Sequence, residues 1–208
     1  MKSKRIKLII FHPYSVVGGA DRSISRLING LNHKKYEIIF FTLKKPFISH
    51  YLKKKIKIIE IHASRTFFTI LKIRKFLKRL PVKEKVIFFS NQNFANIISF
   101  FILFRLRNIK QVLMERNHLD EFRYSNNLVK LLKNKLIKLL MLALYRYADL
   151  IIGNSKKLSK DLSIFLNRPV ITIYNPAKDL NIIKLAKNED TIYSDEDISS
   201  LIKKNFGI

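Results

Sequence analysis

The sequence predicts an α/β fold, a Rossmann-like, doubly wound and mostly parallel sheet of about seven strands. Two observations carry this prediction. Apolar runs of about four to eight residues alternate along the chain with longer segments whose apolar residues recur at helical spacing. The apolar runs lack polar alternation, as in Val86-Ile87-Phe88-Phe89. Such continuous runs are typical of parallel strands that are covered on both faces.

The elements follow one another in an alternating order. Strands two and three are joined by a loop that contains Pro46 and leaves room for a short helix only. The last long helix before strand six is apolar on all sides after Leu139, which predicts that it belongs to the core. The predicted strands are 7–12, 36–43, 55–62, 85–90, 110–115, 150–154 and 170–174, and the predicted helices are 20–31, 64–80, 92–106, 127–148, 156–166 and 179–187.

Composition excludes several classes of protein. The 208 residues include no Cys, so disulfides, thiolate nucleophiles and Cys-ligated zinc are absent, and the five His residues show no ligand spacing. We therefore expect no metal site. The apolar runs are shorter than the ~20 residues that span a bilayer. The basic N-terminus resembles a signal peptide, but His12 and Pro13 interrupt its apolar run. We therefore expect a cytoplasmic protein.

The charge leaves three interpretations open. The chain has 41 Lys and Arg against 15 Asp and Glu, a net charge of +26. This excess is either a solvated surface, or a surface that binds an anionic membrane, or one that binds nucleic acid. The third rests on charge alone, so we expect no specific nucleic-acid partner. The basic helix over 66–80 is either an amphipathic membrane segment or an ordinary helix packed on the sheet.

The charge also changes sign near the C-terminus. Residues 189–208 carry five acidic and two basic residues, unlike the basic chain before them. This break predicts a boundary, with one domain over 1–188 and an acidic linker over 189–208.

The first predicted strand leads into a helix through Gly18 and Gly19. Two glycines without Cβ atoms let backbone N–H groups approach an anion at the positive end of the helix, although such a pair also serves as a simple turn. Arg22 adds a cation one turn further on, suited to phosphate or carboxylate.

The fifth strand ends in Glu115, Arg116, Asn117 and His118. Ligands bind beyond the carboxyl ends of parallel strands, so these side chains form either a functional loop or a solvated one. His118 is the candidate for proton exchange or for contact with a sugar hydroxyl. Asn154 and Ser155, after strand six, suit the cap of the next helix.

Several motifs together resemble the N-terminal half of glycosyltransferase family 4, a GT-B fold. They occur in the family's order over residues 7–187. They are Gly-Gly-Ala-Asp-Arg at 18–22, Ser90-Asn91 to Asn96, Glu-Arg-Asn-His at 115–118, Tyr-Ala-Asp-Leu-Ile-Ile-Gly-Asn-Ser at 147–155, and Ile-Tyr-Asn-Pro at 173–176.

The resemblance implies a transferase that moves a sugar from a nucleotide donor to an acceptor with retention, without metal or other cofactor. The acceptor would belong to polysaccharide, lipopolysaccharide or lipid-linked glycan synthesis in the cell envelope. The roles it implies are donor phosphate and acceptor binding by Gly18, Gly19, Arg22, Arg116 and Asn117, catalysis by His118, and lining of the cleft by Glu115, Asn154, Ser155 and Asn175.

The resemblance covers the acceptor-side lobe only. The family's paired glutamates of the donor-binding lobe have no matching context here, so 189–208 is interpreted as the truncated start of that lobe. We expect little or no activity without it, and a separately encoded partner is one way to supply it. The alternative is a non-catalytic, basic membrane-surface or assembly module of the same fold, peripheral to the membrane.

Overall fold

Strands and helices alternate along the chain. The computed structural model describes residues 5–15, 18–44, 46–122 and 127–175. The strands are β1 (Ile6–Phe11), β2 (Tyr36–Thr42), β3 (Lys57–Glu60), β4 (Val86–Asn91), β5 (Ile109–Glu115), β6 (Leu150–Gly153) and β7 (Ile171–Thr172). The helices are α1 (Gly19–Gly30), α2 (Thr69–Lys78), α3 (Asn93–Leu103), α4 (Leu128–Leu144) and α5 (Lys156–Leu166), with 3₁₀ turns at Phe47–Tyr51, Thr66–Phe68, Leu119–Phe122 and Tyr145–Tyr147.

The seven strands form one sheet in the order β3-β2-β1-β4-β5-β6-β7, and all neighbouring strands are parallel. The order reverses between β1 and β4, where Phe11 is in register with Ser90. A ligand crevice forms at such a reversal, outside the carboxyl ends of the strands. The predicted α/β Rossmann-like class is confirmed.

The core lies on both faces of the sheet. On one face, Ile24 and Ile28 of α1 are buried in a cluster with Ile10 and Phe40. On the opposite face, α2 and α3 pack against β2, β1 and β4, and α4 and α5 pack against β5 and β6. This distribution follows from right-handed crossovers, because the connection from β1 runs opposite in direction to those from β3 onward. Both faces of the strands are therefore apolar.

Two predicted helices differ from the structure. The helix expected over 64–80 is a 3₁₀ turn followed by α2, and Ile73 and Leu77 of α2 are buried against the sheet. The prediction that 127–148 is core was wrong for one face of α4, since Leu139 is 62% exposed. Apolar composition alone does not tell which apolar side chains meet the sheet.

No helix in the described ranges is long and apolar enough to cross a membrane. The chain divides into two units, Met1–Asn175 and Pro176–Ile208, and every described residue belongs to the first. The predicted helix 179–187 and the predicted boundary between 188 and 189 lie outside the described residues.

Candidate functional site

Polar side chains gather at the carboxyl edge of the sheet, where its strand order reverses. His12 directly follows β1, Asn91 is the last residue of β4, and Arg116 directly follows β5. These three strands are neighbours in the sheet. Their ends bring side chains from distant parts of the sequence into one hydrogen-bonded cluster.

The imidazole of His12 connects α1 to β4. His12 is 0% exposed, and its Nε2 lies 3.0 Å from Asp21 Oδ1 on α1. Its Nδ1 lies 3.0 Å from Asn91 Nδ2. A carboxylate oxygen accepts only, so Nε2 carries the proton and Nδ1 accepts from the Asn91 amide. The two contacts together define one neutral tautomer of His12.

The guanidinium of Arg116 joins this cluster to the rest of the edge. Nε donates to Asn91 Oδ1 at 2.6 Å, and Nη2 donates to Ser23 Oγ at 3.1 Å. Nη1 donates to Asn175 Oδ1 at 3.1 Å, and Ser23 Oγ donates to the same oxygen at 2.8 Å. One cation thus ties together α1, β4 and the segment that follows β7.

Burial lowers the pKa of Arg116 to about 10, against the opposing effect of the Asp21 charge. The side chain therefore stays protonated at neutral pH. A guanidinium has five N–H donors. Apart from a contact of Nη2 with Met114 Sδ at 3.8 Å, the Arg116 bonds to described residues engage one N–H on each nitrogen, which leaves Nη1 with a second donor for a ligand.

The same cluster holds an unused acceptor. Asp21 is 1% exposed, and its Oδ2 has no hydrogen-bond partner within the described ranges. A buried carboxylate oxygen without a donor is costly unless a cation lies nearby. Arg116 supplies that charge.

Glu115 belongs to a second, interior cluster. The sequence groups it with the cleft, whereas the structure places it 1% exposed, with Oε1 accepting from the Tyr145 hydroxyl and from Asn96 Nδ2, the latter at 2.7 Å. Burial raises the pKa of Glu115 to about 7, although the bonds from Tyr145 and Asn96 oppose the shift. Ser90 Oγ donates to Asn96 Oδ1 at 2.7 Å and extends the cluster into β4. This cluster holds α3 and the 3₁₀ turn after α4 to the sheet.

The paired glycines lie at the start of α1. Gly18 occupies the N-cap with extended backbone and no side-chain cap bond, and Gly19 is the first helical residue. A Cβ built on Gly19 meets no atom within 4 Å, so described packing does not require a glycine there. Arg22 lies one turn later, and its guanidinium stacks 5.9 Å from the Tyr51 ring centroid. Arg22 thus faces a different neighbour from Arg116.

The loop after Arg116 forms its own short turn. Glu121 N donates to the His118 carbonyl at 3.1 Å, and Asn117 Nδ2 donates to the Glu121 carboxylate. The His118 side chain is half-buried. Among the described residues, the Asn117 side chain bonds within this turn. His118 lies two residues after Arg116 in the sequence.

The residues after β6 have structural roles. Ser155 Oγ accepts from Leu158 N at 3.2 Å and caps α5, and Asn154 is half-buried next to it. A Cβ on Gly153 would lie 2.4 Å from Ser159 Oγ and 3.1 Å from Ser159 N. Gly153 therefore lets α5 approach β6 closely.

The structure brings Arg116 and Asn175 together, two residues that the sequence named for the site. The polar partners His12, Asp21, Ser23 and Asn91 were missed. Asp21 and Asn91 lie within the family motifs, Ser23 directly follows the first of them, and His12 directly follows β1. The signal that could have found His12 and Asn91 is their position at the ends of the two strands between which the order reverses. Gly19 and His118 both follow strands at the carboxyl edge of the sheet, Gly19 after β1 and His118 after β5.

A protein family and several solved structures are similar to this chain. The family model described as Glycosyltransferase Family 4 matches residues 17–178. Among solved structures, Anabaena Alr3699/HepE in complex with UDP and glucose has a TM-score of 0.57 and 17% identity, covering 96% of this chain and 50% of that chain. The N-terminal domain of Candida albicans trehalose-6-phosphate phosphatase has a TM-score of 0.52 and 10% identity, covering 98% and 55%. No curated protein matches.

At these identities the solved structures share the fold with this chain. The chain spans about half the length of each of them.

Proposed function

This chain belongs to glycosyltransferase family 4, and from that premise we propose that it is the acceptor-side lobe of a retaining, metal-independent transferase that uses a nucleotide-sugar donor. The acceptor is a glycan or lipid-linked glycan of cell-envelope synthesis, at the cytoplasmic side of the membrane. The observation that carries this function is the Arg116 guanidinium, which is charged and lies at the reversal of strand order, with one Nη1 donor that no bond to a described residue engages.

The charges at this edge suit a diphosphate. As the bond between sugar and diphosphate breaks, negative charge grows on the leaving oxygen, and preorganised donors stabilise it. Gly19 leaves the positive end of α1 open to such an oxygen, and Arg116 adds a full charge from the neighbouring strand ends. Fixed by Asn91, Ser23 and Asn175, the guanidinium needs no reorganisation during the reaction.

His118 has a separate role in this function. Its half-buried imidazole lies two residues beyond Arg116, on the loop that leads away from the sheet edge. We assign it contact with the transferred sugar or the acceptor hydroxyl, as the resemblance implies. Such a contact is worth most where both lobes exclude water, so the isolated lobe is expected to bind a donor weakly and to turn it over slowly.

The test is binding of nucleotide sugars to the purified chain. Isothermal titration with a panel of uridine, guanosine and adenosine diphosphate sugars, alone and with an added donor-binding lobe of the same family, should give saturable binding to one donor. Turnover is then measured with the lobe present. If no donor binds in either mixture, the transferase function is wrong and the non-catalytic module of the same fold is favoured.

A further inference from the structure

The outer face of α4 is unusually apolar for a surface helix. Five leucines, at spacings of four, four, three and three residues, lie along it and point away from the sheet. Their side chains are Leu128 (70% exposed), Leu132 (57%), Leu136 (55%), Leu139 (62%) and Leu142 (44%). This spacing places all five on one stripe of the helix.

The stripe is not the face that α4 uses for folding. Ile137 and Met141 are buried, at 8% and 1% exposure, in the cluster that includes Leu113 of the sheet. These positions lie on the side of the helix opposite the five leucines. α4 therefore has two apolar faces, and the described fold requires one of them.

The charged residues of α4 itself are all basic. Residues 127–148 contain no Asp or Glu. Four lysines interrupt the leucines, and Lys133 and Lys138 stand at the two borders between the exposed and the buried apolar face. The lysines are Lys130, Lys133, Lys135 and Lys138, the first three exposed and the last half-buried.

This combination selects one kind of partner. A second copy of the same face would bring lysines against lysines, a repulsion that an apolar contact must overcome. An anionic bilayer instead attracts the lysines, while the leucines enter the boundary between head groups and acyl chains to a depth of about 5–10 Å. Lysine side chains at the borders extend their ammonium groups to the phosphates.

The end of α4 fits the same partner. Tyr147, in the 3₁₀ turn after α4, is 66% exposed, and Arg146 stacks 4.9 Å from its ring centroid. Tyrosine and arginine together are suited to the head-group region, with an apolar body and polar ends.

We infer that the outer face of α4 binds the surface of an anionic lipid bilayer. α4 follows β5, so it starts at the carboxyl edge of the sheet, the edge that holds Arg116. A bilayer on this face would thus lie beside the candidate site. Binding of lipid does not depend on sugar transfer, so it is tested separately from the function proposed above.

The experiment is flotation of the full chain with vesicles. Wild type should float with vesicles of equal parts phosphatidylglycerol and phosphatidylcholine at low salt, and not with phosphatidylcholine alone. The double variant Leu132→Gln/Leu136→Gln should bind at least about tenfold more weakly, since each leucine loses its apolar transfer energy. The matched control Val82→Gln/Ile164→Gln changes two aliphatic side chains outside α4, exposed by 78% and 71%, and should bind as wild type does.

A fluorescent reporter shows which face of the protein contacts the bilayer. The chain has no Trp, so Leu139→Trp introduces a single one. Its emission should shift to the blue and be quenched by brominated acyl chains, whereas Ile164→Trp should stay unquenched. The inference is overturned if wild type does not float with anionic vesicles, or if the α4 and control variants bind alike. It is also overturned if wild type forms a dimer without lipid that the α4 variant abolishes.

Discussion

Asn91 Nδ2 donates to His12 Nδ1 at 3.0 Å and so bridges the ends of β4 and β1, the two strands between which the sheet reverses its order. The other end of the same amide accepts from Arg116 Nε at 2.6 Å. The orientation of the amide is thereby determined from both sides. A chain of bonds runs from Asp21 through His12 and Asn91 to Arg116.

Removing the Asn91 side chain from this series of hydrogen bonds should destabilise the fold. Asn91→Ala leaves His12 Nδ1 and Arg116 Nε without their partner in a site where Asn91 is 0% exposed. We expect the free energy of unfolding in urea to fall by about 2–3 kcal/mol. The control is Asn32→Ala, an exposed Asn whose side chain accepts from Lys34 N. A loss in Asn91→Ala no greater than in that control would contradict the described network.

Arg116→Lys should weaken donor binding by more than its effect on the free energy of unfolding accounts for. A lysine has one nitrogen and cannot reach Asn91, Ser23 and Asn175 together as the guanidinium does. We expect donor affinity, measured by titration calorimetry, to fall about tenfold or more. Arg74→Lys is the matched control, because Arg74 Nη1 also donates to three oxygens, the carbonyls of Phe101, Ile102 and Phe104. Equal losses of affinity in both variants would show an indirect effect of stability.

The pKa of Glu115 should be visible in the pH dependence of stability. The folded state holds this proton up to about pH 7 and the unfolded chain releases it near 4.5, so the folded state binds more protons between these values. The free energy of unfolding should therefore fall as pH rises across this window, by about 3 kcal/mol in total.

Glu115→Gln cannot titrate and should lack this component. Urea unfolding of both proteins from pH 5 to pH 8 gives the difference between their free energies of unfolding at each pH. The contribution of the histidines, which both proteins share, cancels in this difference. Parallel curves would mean that Glu115 is ionised in the folded state throughout. Tyr145→Phe should leave the carboxyl group with one donor fewer and move the same fall in stability to higher pH.

Much of the fold was predictable from the sequence, because the buried strands contain short apolar runs and the helices carry apolar residues at helical spacing. The strand Val86–Asn91 and the helix Lys156–Leu166 are examples, one recognised from its apolar run and the other from spacing and a Ser cap. The outer face of α4 was not predictable in this way. The exposed leucines of α4 and the leucines of the core are the same residue type, and only the position of the sheet determines which of them are buried.

The candidate site was predictable in part for a related reason. Arg116 and Asn175 come from motifs that are recognisable along the chain, whereas the pairing of His12 with Asn91 depends on strand order. Strand order is a property of distant contacts that periodicity does not contain. Glu115 was placed in the cleft because its partner Tyr145, on a later 3₁₀ turn, could not be foreseen.

Gly153→Ala tests the close approach of α5 to β6. The new methyl group would lie 2.4 Å from Ser159 Oγ and 3.1 Å from Ser159 N, and the backbone atom cannot move without shifting α5. We expect a loss of about 1–3 kcal/mol in urea unfolding. Gly30→Ala at the end of α1 meets open space and should be neutral or slightly stabilising. A neutral Gly153→Ala would mean that the two elements separate without cost.

Gly19→Ala separates a binding role from a structural one. Its methyl group would contact no described atom within 4 Å, and alanine favours a helix over glycine, so the free energy of unfolding should be unchanged or slightly higher. The same methyl group would stand where a phosphate oxygen must approach the first N–H groups of α1, so donor affinity should fall about tenfold. Titration calorimetry with the bound nucleotide sugar measures the affinity, and urea unfolding measures the stability. Gly30→Ala, at the other end of the helix, should leave affinity unchanged. Undiminished affinity in Gly19→Ala would show that the first N–H groups of α1 do not contact the donor.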